Sequence, residues 1–187
     1  MKIALLIAAV FLLAIFVAGQ DLPKEIRGYK VYHAKISVKN KGEKSDAKDA
    51  AEARVKIGEP KISDVSLNGL TLAIPAEINS FDQSGTIDFL VFRDFRVNDL
   101  KVEVEEYKES FDIKKNESVV LPKPIKITAS VAETLRGALK ELKESRDEWT
   151  ITGRVFVFGR FKKSFLKFKR VVPVDINLRI KNPLKEV

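Results

Sequence analysis

From Tyr29 onward the chain is dominated by apolar residues recurring at every second position, which is the period of a β-strand with one face buried. The first run, Tyr29 to Val38 (YKVYHAKISV), sets Tyr32, Ala34, Ile36 and Val38 on one side and predicts a strand. From Val55 the runs are short and are separated by turn residues at roughly ten-residue spacing, the pattern of an all-β sandwich. They cover Lys61 to Leu67, Thr71 to Ile78, Thr86 to Phe95 and Leu100 to Tyr107. The last of these sets Leu100, Val102 and Val104 against Lys101, Glu103 and Glu105, as a half-buried strand requires. Gly58 with Pro60, Asn68-Gly69, Pro75, the Asp82 to Gly85 stretch and Asn98-Asp99 supply the punctuation. Phe111, Ile113 and Val119 to Ile127 continue the strand pattern, with Pro122 and Pro124 fitting an edge or bend because proline brings no ladder donor.

The period changes to 3.6 at Ser130 to Glu144, where Val131, Leu135, Ala138, Leu139 and Leu142 share one side. Ser130 can cap that helix and Glu133 complete a capping box, so one amphipathic helix is expected to lie on the sandwich by its leucine stripe. Two strand runs follow, Trp149 to Phe158 and Ser164 to Leu178, and Gly159 to Lys163 (GRFKK) between them makes a hairpin the simplest connection.

Two stretches break the β pattern. Asn40 to Arg54 has no large apolar residue and reads as an exposed linker or solvated helix. Ile3 to Gly19 is an unbroken run of 17 apolar or small residues behind Met1 and Lys2. A charged start, an apolar stretch and small residues at Val17, Ala18 and Gly19 describe a signal peptide, while the length also meets the lower limit for a membrane span. The chain thus divides into 1–20, a signal peptide or membrane anchor; 21–58, a strand with a polar extension; and 59–187, the sandwich. The expected location is outside the cytoplasm, secreted or held at the membrane by residues 3–19.

The 187-residue chain has no cysteine, so its fold must stand without disulfides. Charged residues make up 32% of it, with one Met and one Trp, a profile consistent with a thermophilic source. The net charge of +8 suits polyanionic partners such as anionic lipid or a cell-surface polymer, or serves solubility alone, and export makes nucleic acid an unexpected partner.

The element order from Glu59 to Arg179 resembles the late embryogenesis abundant group 2 fold, the water-stress and hypersensitive-response (WHy) domain. The resemblance rests on PKISDVSLNGLTLAIPAEI, LKVEVEEY, VLPKPIKITASV leading into a helix, and WTITGRVFVFGRF followed by FLKFKRVVPVDI. Where that family often carries Asn-Pro-Asn, this chain reads Asn79-Ser80-Phe81-Asp82-Gln83. The resemblance implies an immunoglobulin- or fibronectin-like antiparallel sandwich and a non-enzymatic, stress-protective interaction module. The alternative is an envelope accessory protein that binds lipid or an anionic polymer beside the membrane.

Candidate chemistry is sparse. His33 stands alone and cysteine is absent, which removes soft-metal and Cys- or His-centred nucleophilic sites. Glu103, Glu105 and Glu106 read as the wet face of a strand, and neither a phosphate-binding loop nor a nucleophile elbow occurs, so no catalytic residue, metal or cofactor is expected. Asn116-Glu117-Ser118 matches the acceptor pattern for N-glycosylation at Asn116, a three-residue match that chance also produces. The sharpest local feature is Arg154 to Arg170, with seven positive side chains, five phenylalanines and no acid. Arg160, Lys162, Lys163, Lys167 and Lys169 are the candidates for an anionic-surface site, against the alternative of core phenylalanines backed by a solvated lysine face.

Overall fold

A computed structural model describes residues 22–41, 53–80, 83–144, 147–163 and 165–182. The expectations placed on 3–19, and on the polar stretch between 42 and 52, lie outside the described residues. The elements are β1 (Glu25–Ile26), β2 (Tyr29–Val31), β3 (Ile36–Asn40), β4 (Ala53–Ile57), β5 (Lys61–Ser66), β6 (Gly69–Ile74), β7 (Ala76–Ser80) and β8 (Ser84–Val97). There follow β9 (Leu100–Lys101), β10 (Glu103–Val104), β11 (Phe111–Ile113), β12 (Glu117–Val120), β13 (Ile125–Ser130), the helix α1 (Val131–Glu144), β14 (Glu148–Lys163) and β15 (Leu166–Lys181).

These strands build the all-β sandwich the alternation predicts. One layer is a seven-stranded sheet in the order β1-β2-β15-β14-β8-β11, with β9 also on β8. Two four-stranded sheets, β10-β13-β6-β5 and β12-β7-β4-β3, face it. Pro75 separates β6 from β7 and so divides the facing layer in two, since proline cannot donate to a ladder. Each half buries its own cluster against the large sheet. Leu72, Ile74 and Ile127 meet Phe95, Val97, Trp149, Ile151 and Ile180 at one end. Ala76 and Leu121 meet Ile87, Leu90, Phe111 and Ile113 at the other.

Three readings change in detail. The Tyr29 to Val38 run is two strands in different layers, because β2 pairs with β15 while β3 pairs with β4. Residues 29–57 therefore contribute strands to both layers of the sandwich. Leu100 to Tyr107 likewise breaks up, with β9 pairing β8 in one layer and β10 pairing β13 in the other. Its alternation is real, but its polar and apolar sides are satisfied in succession by two sheets. The β14–β15 hairpin also runs further than GRFKK suggested, with paired residues continuing to Lys163 and Leu166.

Helix α1 begins where the cap predicts, the Glu133 amide donating to Ser130 Oγ at 3.4 Å. Replacing Ser130 by alanine is expected to destabilise the fold by about 1 kcal/mol, read as a shift in the chemical unfolding midpoint. The helix does not dock by the whole stripe expected of it, for Val131 and Leu135 are 50% and 61% exposed. It approaches through Thr134, whose hydroxyl donates to the Ala129 carbonyl, and through Gly137, where an added Cβ would stand 3.3 Å from Leu100. The missing side chain at Gly137 lets helix and β9 approach closely.

Candidate functional site

Strand register decides which of the basic residues can act together. In β14–β15, Arg160 is opposite Lys169 and Lys162 opposite Lys167, so these four side chains share one face. It is the outer face of the seven-stranded sheet, since Val155, Val157 and Phe161, of the other parity, pack into the core. The side chain of Lys163 lies outside the described residues. At the tip, Phe165 is 89% and Leu166 50% exposed, with Leu166 opposite Lys163 and of the other parity to Lys167 and Lys169.

The four cations differ in their surroundings. Arg160 is tied down, its guanidinium 2.8 Å from Asp88, which also accepts from the Tyr29 hydroxyl at 3.0 Å. Asp88 can serve both because it is an extra residue in β8: the register passes from Phe158↔Phe89 to Gly159↔Ile87, and the bulge turns the carboxylate outward. Burial, followed by the hydrogen bond to Asp88, pushes the Tyr29 phenol above its ordinary pKa. Lys169 leans over the Tyr29 ring at 5.7 Å. Lys162 and Lys167 are exposed and have no ion-pair partner among the described residues. Arg170, of the opposite parity, stacks on Tyr32 at 4.3 Å.

The phenylalanines follow neither simple reading. Phe161 belongs to the core and Phe165 to solvent, while Phe158 is buried on the outer face, stacked on Phe89 with centroids 4.4 Å apart and met edge-on by Tyr29. The β1–β2 hairpin covers this outer patch. Its turn at Arg27-Gly28 has φ of 51° and 80°, the left-handed pair that a two-residue hairpin needs. Arg27 then caps the stack, 5.7 Å from the Phe89 centroid, and pairs with Glu106 at 3.3 Å. The sequence reading missed this second apolar surface. Its signal was present in Phe89-Leu90-Val91-Phe92 and Val155-Phe156-Val157-Phe158, where consecutive apolar residues mean that both faces of a strand are covered.

Elsewhere the structure places the candidates apart. Glu103 and Glu105 are exposed on their own, Glu106 is engaged by Arg27, and His33 is exposed. Asn116 sits at φ 58° in the exposed turn between β11 and β12, with Ser118 also exposed. Among the described residues no group of three or more His, Cys, Asp or Glu could hold a metal ion. None of their helices is long and apolar enough to cross a membrane. The gap between the two layers amounts to about 80 Å³, lined by Ala34, Ile36, Val55 and Val172 among others.

No protein-family model matches the chain, and no curated protein matches it in sequence. Two solved structures are similar. A crystal structure of a protein from Archaeoglobus fulgidus is 11% identical, covering 68% of this chain and 94% of its own, with a TM-score of 0.39. A solution structure of a protein provisionally described as late embryogenesis abundant is 13% identical, covering 70% of this chain and 71% of its own, with a TM-score of 0.35.

Proposed function

We propose that this protein is a non-enzymatic module held beside a membrane by residues 3–19, and that the outer face of its seven-stranded sheet lies against an anionic bilayer surface. The observation that carries the reading is the β14–β15 tip, where Phe165 and Leu166 are exposed at the hairpin end beside Lys162, Lys167 and Lys169, the three lysines sharing one face and Leu166 lying on the other. Apolar residues beside lysines suit an interface, the Phe165 ring and Leu166 entering the acyl boundary while the ammonium groups stay among the phosphates. Leu22, where the described chain begins, lies on that same outer face beside Gly153 and Arg154. Arg154 and Lys163 are nine positions apart on one strand, about 30 Å, so an anchor at one end and the tip at the other would hold the face down at two points.

Among the described residues, the gap lined by Ala34, Ile36, Val55 and Val172 is about 80 Å³, below the roughly 300–1,000 Å³ of small-ligand sites, and this reading places lipid contact at the surface. A stress-protective role, implied by the WHy-like motifs, is compatible with such a surface-bound module.

The absence of cysteine makes Phe165→Cys a unique labelling site in the full chain. A nitroxide there, read by depth-sensitive electron paramagnetic resonance, is expected to enter the bilayer of phosphatidylglycerol-containing proteoliposomes. Each lysine close to the surface contributes about 1 kcal/mol. Lys162→Gln, Lys167→Gln and Lys169→Gln together should therefore lower the immersed-to-exposed ratio roughly 150-fold. A label that stays in water in the parent, or one indifferent to the three substitutions, overturns the reading.

A further inference from the structure

Beside the β1–β2 hairpin the outer face opens into a groove of about 560 Å³, a size typical of small-ligand sites. Its floor is Val91, Phe156 and Phe158, and its wall is Leu22 and Ile26. Phe158 is buried, but the other four are left half-exposed, apolar surface that folding has not removed from water. One end of the groove is charged. Arg93 and Arg154 are directly opposite each other on β8 and β14, a juxtaposition of like charges that is unfavourable in a sheet. Arg154 is relieved by Asp175 at 2.6 Å, and that hydrogen bond holds its guanidinium above its ordinary pKa. Arg93 and the adjacent Asp94 are both exposed, and neither has an ion-pair partner among the described residues. Asp94 is an added residue in β8 with φ 55°, a left-handed conformation that keeps its carboxylate at the rim. At the other end, Arg27 is engaged by Glu106.

The groove therefore combines an apolar trough with an exposed cation, Arg93, next to an exposed anion, Asp94, whose charge also acts on Arg154. That charge pattern complements a zwitterionic head on an apolar chain and suits a purely anionic or cationic head poorly. We propose that the groove binds a phosphoethanolamine lipid, its phosphate on Arg93 with Arg154 beside it, its primary ammonium on Asp94, and one acyl chain over Val91, Phe156 and Ile26. The inference rests on the reading that the outer face is apposed to a bilayer, because that is where such a lipid is presented to it.

The test uses the full chain in phosphatidylcholine proteoliposomes doped with phosphatidylethanolamine carrying a diazirine in one acyl chain. After photolysis, peptide mass spectrometry is expected to find the label on residues 22–26, 91 and 156. Arg93→Gln should reduce labelling about tenfold, the value of one charge-assisted hydrogen bond. Asp94→Asn, which tolerates the left-handed backbone, should reduce phosphatidylethanolamine labelling about threefold or more while leaving the same diazirine chain on phosphatidylcholine unaffected. Labelling confined to other peptides, as expected if the chain's own residues 1–21 fill the groove, overturns the proposal. So do equal labelling of the Arg93→Gln variant and equal labelling by the two lipids. The triple lysine variant separates the two readings. Groove labelling retained there while the tip leaves the anionic bilayer supports both. Groove labelling without any tip immersion in the parent leaves the lipid site standing and removes the surface reading. Tip immersion without groove labelling does the reverse.

Discussion

Phe158→Ala is expected to destabilise the protein by about 3–5 kcal/mol, the range for truncating a fully buried phenylalanine that its neighbours cannot replace. Phe158 is 1% exposed. It is stacked on Phe89, met edge-on by Tyr29 and placed 6.0 Å beneath the Arg27 guanidinium, so removing it leaves a void between the sheet and the β1–β2 hairpin. The loss should be concentrated in the β1–β2 hairpin, which holds the sheet through Tyr29, Arg27 and two residues of parallel pairing at Lys30 and Val31. Chemical unfolding measures the total, and hydrogen exchange at the amides of 29–32 locates it. Phe165→Ala is the control: at 89% exposure the same substitution should shift stability by less than about 0.5 kcal/mol. Equal losses at the two positions would mean that the outer face is not a second apolar layer.

The contrast between these two phenylalanines explains how far the sequence could be read. The alternation in the Leu70, Leu72 and Ile74 run, and in Trp149, Ile151, Val155 and Val157, names residues that do face the core, because a half-buried strand leaves a period of two. The turns at Asn68-Gly69 and Asn98-Asp99 and the cap at Ser130 were legible because each depends on local backbone chemistry. At 98 and 99 both residues have positive φ, as a two-residue hairpin demands. What was not legible depends on partners distant in sequence. Tyr29 meets Phe158 across more than a hundred positions, and nothing near Tyr29 announces that its strand changes layers after Val31. The exposed side of α1 is a similar case, since a leucine stripe states that a face is apolar and not that the fold has a surface to cover it.

The candidate site was half legible for the same reason. Sequence alone grouped Lys162, Lys163, Lys167 and Lys169 by the turn and one strand face; in the register Lys162, Lys167 and Lys169 share a face, while Lys163 stands opposite Leu166 with the other parity. Arg160 was grouped with them by charge, yet its role is set by Asp88, a residue whose outward direction comes from a bulge that no local pattern marks. Arg160 therefore belongs to the support of the face, and the three lysines are the cations that the proposed bilayer contact would use. That division is why the vesicle test changes the lysines and leaves Arg160 in place.

Gly69→Ala should also destabilise the fold by about 2–5 kcal/mol, by a mechanism that removes no contact. Gly69 closes the β5–β6 turn with φ 141°, where an L-residue is strained by roughly 1–2 kcal/mol. An added Cβ would also fall 1.9 Å from the Ala129 carbonyl oxygen. That oxygen belongs to β13, whose last residues Ala129 and Ser130 pair with Leu70 and Gly69. Relief therefore requires the two strands to separate at this end, and overpacking of this kind adds about 1–3 kcal/mol. The damage should spread in a defined direction. Ser130 is both the last paired residue of β13 and the cap of α1, so forcing β13 outward moves the oxygen that Glu133 needs. Far-ultraviolet circular dichroism during chemical unfolding should then show α1 melting before the sheets in the variant, whereas the parent loses both together. Gly28→Ala provides the comparison, since that glycine also has a positive φ, 80°, but nothing within 4 Å of an added Cβ. It is expected to cost about 1–2 kcal/mol from the backbone alone. If the two variants are equally destabilised, close approach of β13 to Gly69 contributes nothing and left-handed strain accounts for the whole effect.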